Sequence, residues 1–237
     1  MLVACWSPKG GSGTSVVTAA CALVLARRRG PAPVRLVDLD GDQSAILGLA
    51  DEPPTGVADW LLAGPTAPTE ALDRLAVPVI EGLSLLPWGG SGAVGSQPAA
   101  EAGAALAVAL REGPGVAVLD AGRAGSPAAR AATELADRSV VVVRGCYLTL
   151  RRAARHPLTE RAAGVVVVEE SGRSITARDV RAVLDRPVLA HVSARADVAR
   201  AVDAGVLAAR TPDSLARAAA AVLDALRVLP RRRGQAA

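Results

Sequence analysis

The chain of 237 residues has no phenylalanine, one tyrosine and three tryptophans, and only one of its 27 basic residues is a lysine. So small an aromatic share, 2%, leaves no platform on which successive bases could stack and argues against a single-strand nucleic-acid module. It also means that any core is packed from Val, Leu and Ala. Three cysteines, Cys5, Cys21 and Cys146, stand far apart with no C-x-x-C spacing, which excludes a disulfide framework and predicts reduced thiols in the cytoplasm. His156 and His191 have no Cys or His at ligand spacing, so no histidine metal site is expected. Apolar runs are short, the first breaking at Ser7-Pro8, so neither a secretory leader nor a membrane span is expected.

What the chain does have is 51% hydrophobic residues, enough for one large α/β domain. We place that domain at residues 1–229, with a basic tail at 230–237. The net charge is +4, and the arginines are dispersed apart from runs at 27–29, 151–152 and 231–233. The last run follows an apolar helix and a proline. It is either a weak contact for anionic lipid or nonspecific DNA, or a solvated end.

The lone lysine is the most informative residue. Lys9 lies in Pro8-Lys9-Gly10-Gly11-Ser12-Gly13-Thr14-Ser15, after the apolar run 2–6 and before an Ala/Val/Leu segment, 15–29, with helical spacing. Strand, glycine loop and helix in that order form a phosphate cradle: glycines turn amides inward, the helix start is positive, and a flexible ammonium reaches anionic oxygens. Gly10, Gly11, Ser12, Gly13, Thr14 and Ser15 complete the predicted binding loop, with the Ser15 hydroxyl placed for magnesium. Against G-x-x-x-x-G-K-[ST], however, Pro8 stands at the first glycine and Thr14 at the usual lysine.

Two further apolar runs end in acids. Residues 34–39 lead into Asp38-Leu39-Asp40-Gly41-Asp42-Gln43-Ser44, and 116–119 lead to Asp120 and the loop Ala121-Gly122-Arg123. Carboxylates at the carboxyl ends of parallel strands are where doubly wound sheets place ligand chemistry, and four apolar residues followed by Asp is an arrangement that holds magnesium beside a γ-phosphate. Strands at 83–86, 139–143, 165–168 and 188–192 alternate with helices at 57–62, 99–111, 148–155, 176–184, 197–203 and 213–228. The prediction is a doubly wound, mostly parallel sheet flanked by helices.

Together these stretches resemble the MinD/ParA superfamily of P-loop ATPases. Lys9 matches the signature lysine of their deviant Walker loop, Asp38-Leu39-Asp40 resembles the D-x-D of switch I, Asp120 the start of switch II, and 136–140 the A-D-x-x-V entry to the next strand. Within that superfamily the Thr14 loop, 38–48 and 121–123 are most similar to actinobacterial CpaE/TadZ-type proteins of pilus assembly or secretion. The resemblance implies ATP and Mg2+ as cofactors and a homodimer across nucleotide, with Lys9 reaching the partner's phosphates. Asp40 would take part in water activation, and Asp38, Asp120 and Ser15 would surround the metal. It implies a slow switch that positions a pilus, secretion or division assembly through an unidentified protein partner, cytoplasmic or peripheral at the inner membrane face. A DNA-partitioning ATPase and a non-hydrolysing nucleotide-binding scaffold stay open as alternatives. Arg123 is either a replacement cation or an ordinary exposed loop arginine. Glu169-Glu170 and Ser193 stand where the family commonly has Asn and Pro, so no adenine contacts are assigned.

Overall fold

A computed structural model describes residues 1–29, 32–90 and 97–228. The expected basic tail at 230–237, with Arg231-Arg232-Arg233, lies outside the described residues. In chain order the elements are β1 (Leu2–Trp6), α1 (Thr14–Arg29), β2 (Val34–Asp38), α2 (Gln43–Leu47), α3 (Val57–Leu62), α4 (Glu70–Leu75), β3 (Val77–Ile80), β4 (Leu83–Leu86) and α5 (Ala100–Glu112). Then come β5 (Val116–Asp120), α6 (Pro127–Glu134), β6 (Arg138–Arg144), α7 (Tyr147–Ala153), α8 (Pro157–Arg161), β7 (Gly164–Glu169), α9 (Ala177–Leu184), β8 (Val188–Ser193), α10 (Ala196–Asp203) and α11 (Asp213–Ala225).

Among the described residues one eight-stranded sheet runs in the order β3-β4-β2-β5-β1-β6-β7-β8. Every neighbouring pair is parallel except β3 with β4. Antiparallel β3 is an edge strand that the sequence did not disclose: Val77-Pro78-Val79-Ile80 carries a proline, which a sheet tolerates at its edge. The short helices α2, α4, α6 and α8 are likewise not among the elements expected from the sequence.

Both faces are covered, which is why the central strands read as continuous apolar runs. In β1, Val3 and Cys5 face a layer built by α1, α2, α10 and α11, where Leu23, Leu25, Ile46, Leu215 and Leu223 are buried. Leu2, Ala4 and Trp6 face the opposite layer, with Trp60, Leu106, Leu110 and Leu158. With aromatics scarce, close approach of backbones substitutes for bulk. A Cβ at Gly103 in α5 would stand 2.1 Å from the Ala128 carbonyl oxygen of α6. Gly103→Ala is therefore expected to lower the unfolding free energy by about 2 kcal/mol, measured by urea denaturation, through overpacking of this crossing.

Candidate functional site

Parallel register brings the acids together. Cys5 of β1 and Asp38 of β2 both pair with Asp120 of β5, so the carboxyl ends of three adjacent strands deliver the glycine loop, Asp38 and Asp120 to one place. A cleft of about 360 Å³ opens there, lined by residues 9–16 together with Asp40, Gly122 and Arg123.

The loop is wound around the Lys9 carbonyl, which accepts from Ser7 Oγ at 2.8 Å and Ser12 Oγ at 2.9 Å. Gly11 and Gly13 sit at φ 74° and 82°, a region that other residues reach only with strain. Among the described residues, the amides of Gly10, Gly11, Ser12 and Gly13 meet no protein acceptor. Four N–H groups left open at the start of a 16-residue helix constitute an anion cradle. Lys9 is half-buried, and its ammonium donates to the Gly10 carbonyl at 3.2 Å.

Asp38 and Asp120 are wholly buried. Asp38 Oδ1 accepts from the amides of Asp40 (3.0 Å) and Gly41 (2.7 Å), and its Oδ2 from the amide of Gln43 (2.9 Å). Both its oxygens are thus engaged in holding the 40–43 loop. Asp120 Oδ1 takes the Gly122 amide at 3.0 Å and its Oδ2 takes Gln43 Nε2 at 2.7 Å, with the Ser15 hydroxyl beside the same carboxylate. Gln43 Nε2 also reaches the Ser15 carbonyl at 3.0 Å, while Gln43 Oε1 is buried without a partner.

Burial pushes Asp120 up to about 7, reinforced by the neighbouring Asp38 charge; Asp38 itself is pushed up to about 6 by burial. Such a pair carries charge poorly unless a cation is present. Asp40, at the mouth of the cleft, is raised by burial and by Asp42, and Arg123 opposes the rise.

No protein-family model matches the chain, and no curated protein matches its sequence. Solved structures do match in shape. A ParA family ATPase from Chlorobium tepidum TLS superposes at TM-score 0.75 with 21% identity, over 95% of this chain and 97% of that one. MinD from Pyrococcus horikoshii OT3, complexed with Mg-ADP, gives TM-score 0.77 and 18% identity over 95% of each chain. The MinC:MinD complex of Aquifex aeolicus gives 0.76 and 20% over 98% of each. The fold is that of the MinD/ParA ATPases.

On this MinD/ParA fold the loop cleft is continuous, through Gly13 and Val16, with a second slot of about 460 Å³ whose walls include Val168, Val192 and Val198. Ser193, Arg195 and Asp203 also line it, as does Arg144, whose guanidinium bonds Glu170 at 2.9 Å and whose Nε is buried without a partner. Glu169 turns away to His191 at 2.6 Å. The structure thus places Lys9 to Ser15, Asp38, Asp40 and Asp120 close together at one end of the sheet. It adds three contributors that sequence reasoning missed. Gln43 braces Asp120 and Ser15, Gly122 underlies Asp40, and Arg144 closes the slot. Gln43 stood in the quoted acidic run, but a single amide among carboxylates gives no signal of its own. Gly122 is legible only in space: at φ 51° its missing Cβ leaves the place where the Asp40 carboxyl packs.

Proposed function

We propose that this protein is a nucleotide-operated switch that binds ATP with magnesium in the loop cleft, pairs with a second copy across the nucleotide, turns over slowly, and so positions another assembly. The observation that carries the reading is the open amide cradle at Gly10–Gly13 with the only lysine of the chain, facing Ser15 and two buried carboxylates. Mg-ADP in the Pyrococcus horikoshii MinD and MinC in the Aquifex aeolicus complex support a nucleotide and a protein partner for a chain of this fold. The adjoining apolar slot would take the base.

The residues suit the metal. Magnesium prefers hard oxygen ligands, one or two carboxylates and the phosphates themselves, and here Ser15, Asp120 and the partnerless Gln43 Oε1 supply oxygens. Magnesium, when bound, would neutralise phosphate charge. Asp38 would serve from behind by fixing the 40–43 loop, Asp40 would orient and accept a proton from water at the cleft mouth, and the loop amides would hold the phosphates. We assign this function to residues 1–229 and treat 230–237 as a basic tail. The assembly served is of the pilus, secretion or division kind, with the protein cytoplasmic or peripheral at the inner membrane face. Among the described residues no helix is long and apolar enough to cross a membrane.

The test is isothermal titration with ATP, ADP and GTP with and without magnesium, then light scattering with and without nucleotide. ATP binding that depends on magnesium and brings dimers is the expected outcome; no nucleotide binding sinks the reading. Lys9→Ala should keep its melting temperature without ligand, because a half-buried loop lysine contributes little packing, yet lose ATP-dependent dimers. Dimers that persist remove the cross-dimer role. The second reading, a scaffold without turnover, is favoured by Thr14 alone, and a phosphate-release assay separates the two.

A further inference from the structure

We propose that Arg123 supplies to the phosphate cleft the positive charge that Thr14 withholds, extending the nucleotide reading above, on which it rests. Thr14 lines the cleft but is uncharged, so the cations facing the loop from the described residues are Lys9 and Arg123.

Arg123 sits on a tight, pinned turn. Ser7 N donates to the Gly122 carbonyl at 2.8 Å, Gly122 N to Asp120 at 3.0 Å, and Ala124 N to the Ala121 carbonyl at 2.6 Å. The two residues flanking Arg123 both lie in the left-handed region, Gly122 at φ 51° and Ala124 at φ 47°. Ala124 is completely buried, and a non-glycine residue held there costs energy that a plain surface turn has no reason to bear. The effect of the turn is to aim residue 123 across the cleft at the loop.

The side chain covers that distance. Its Cδ lies 3.5 Å from where a Cβ of Gly10 would stand, on the side of the loop that the glycine leaves bare. Its charge also reaches Asp40, where it opposes the effect of burial. Other arginines at this end of the sheet are spoken for: Arg144 by Glu170 at 2.9 Å and Arg195 by Asp197 at 3.2 Å. Arg123 makes no ion pair within the described residues. An uncommitted guanidinium beside four open amides recognises a terminal phosphate through its planar fork.

The experiment compares wild type, Arg123→Ala, Arg123→Lys, Thr14→Lys and the double variant Arg123→Ala/Thr14→Lys, by titration with Mg-ATP and Mg-ADP and by phosphate release. Arg123→Ala is expected to lose about tenfold in ATP affinity with ADP affinity unchanged, since one charge-assisted contact to the terminal phosphate is removed. Arg123→Lys should recover part of that loss. In the double variant Thr14→Lys should restore ATP preference, so that the two changes are not additive. ATP and ADP affinities unaltered by Arg123→Ala overturn the proposal, as does a loss that Thr14→Lys leaves untouched. Because all readouts but one are binding constants, the test works in a chain with no measurable turnover. Absence of nucleotide binding in wild type is a different result, which rejects the parent reading instead.

Discussion

Thr14→Lys is expected to raise ATP turnover by about 100-fold, the scale of one well-placed charge on a developing anion. Thr14 is almost fully buried at the first position of α1, and its side chain lines the cleft beside Gly13 and Ser15. A lysine at this position would put its ammonium among the phosphates from the rigid end of a helix, whereas Arg123 reaches them from a loop on the far wall. The stem has room to leave the core because the cleft is open. The charge is expected to be tolerated, because the exposed carboxylates of Asp40 and Asp42 share that cleft. Turnover measured by phosphate release should rise while Mg-ATP affinity changes only a few-fold. Equal rates in the two proteins would mean that the missing cation does not limit the reaction.

Asp120→Asn should stabilise the ligand-free protein at pH 8 and abolish magnesium-dependent ATP binding. Asp120 titrates at about 7 and Asp38 at about 6 in the fold, against about 4 for carboxyls of an unfolded chain. Between about pH 4 and pH 7 the folded chain therefore holds protons that the unfolded chain has shed. Folding stability must then fall as pH rises through that window and level off above it. With about 1.4 kcal/mol per unit and mutual repulsion shared by the two groups, the loss is on the order of 3 kcal/mol. An asparagine never acquires the charge. It keeps the acceptor for the Gly122 amide, and rotating the Gln43 amide turns its partnerless Oε1 to the new NH2. That rotation gives up the bond to the Ser15 carbonyl, so the expected net gain at pH 8 is about 1 kcal/mol. Wild type should melt lower at pH 8 than at pH 5.5, and Mg-ATP should recover the difference. A wild type with flat stability from pH 5 to 8 would refute the assignment of buried, metal-ready carboxylates.

The largest parts of the fold could be read because they obey local rules. Val116-Ala117-Val118-Leu119-Asp120 is a doubly buried strand, and its run of apolar residues ending in an acid is visible without neighbours. Helix α3 occupies the expected residues 57–62, and β4 the expected 83–86. Where the rules weaken, so does legibility. Edge strand β3 contains a proline, and α6 is a helix that starts at Ser126, whose side chain accepts from the Ala129 amide with Pro127 at the first helical position, a start signal that sequence reasoning passed over.

For the candidate site, the sequence by itself determined the groups: one lysine in a glycine loop, a hydroxyl at Ser15, and acids after apolar runs. These are covalent facts, and the chemistry each can perform follows from residue type and short spacing. Only the tertiary structure decided how they act together. Asp38 and Asp120 lie 82 positions apart in the numbering, and it is the β2–β5 register that sets their carboxyls against each other. Burial, not sequence, shifts their protonation, and burial is a property of everything packed around them. The same holds for Gln43, for Gly122 beneath Asp40 and for Arg123 over Gly10. Each gains its meaning from a contact between chain segments whose approach is fixed by the sheet order, and no local pattern encodes that order.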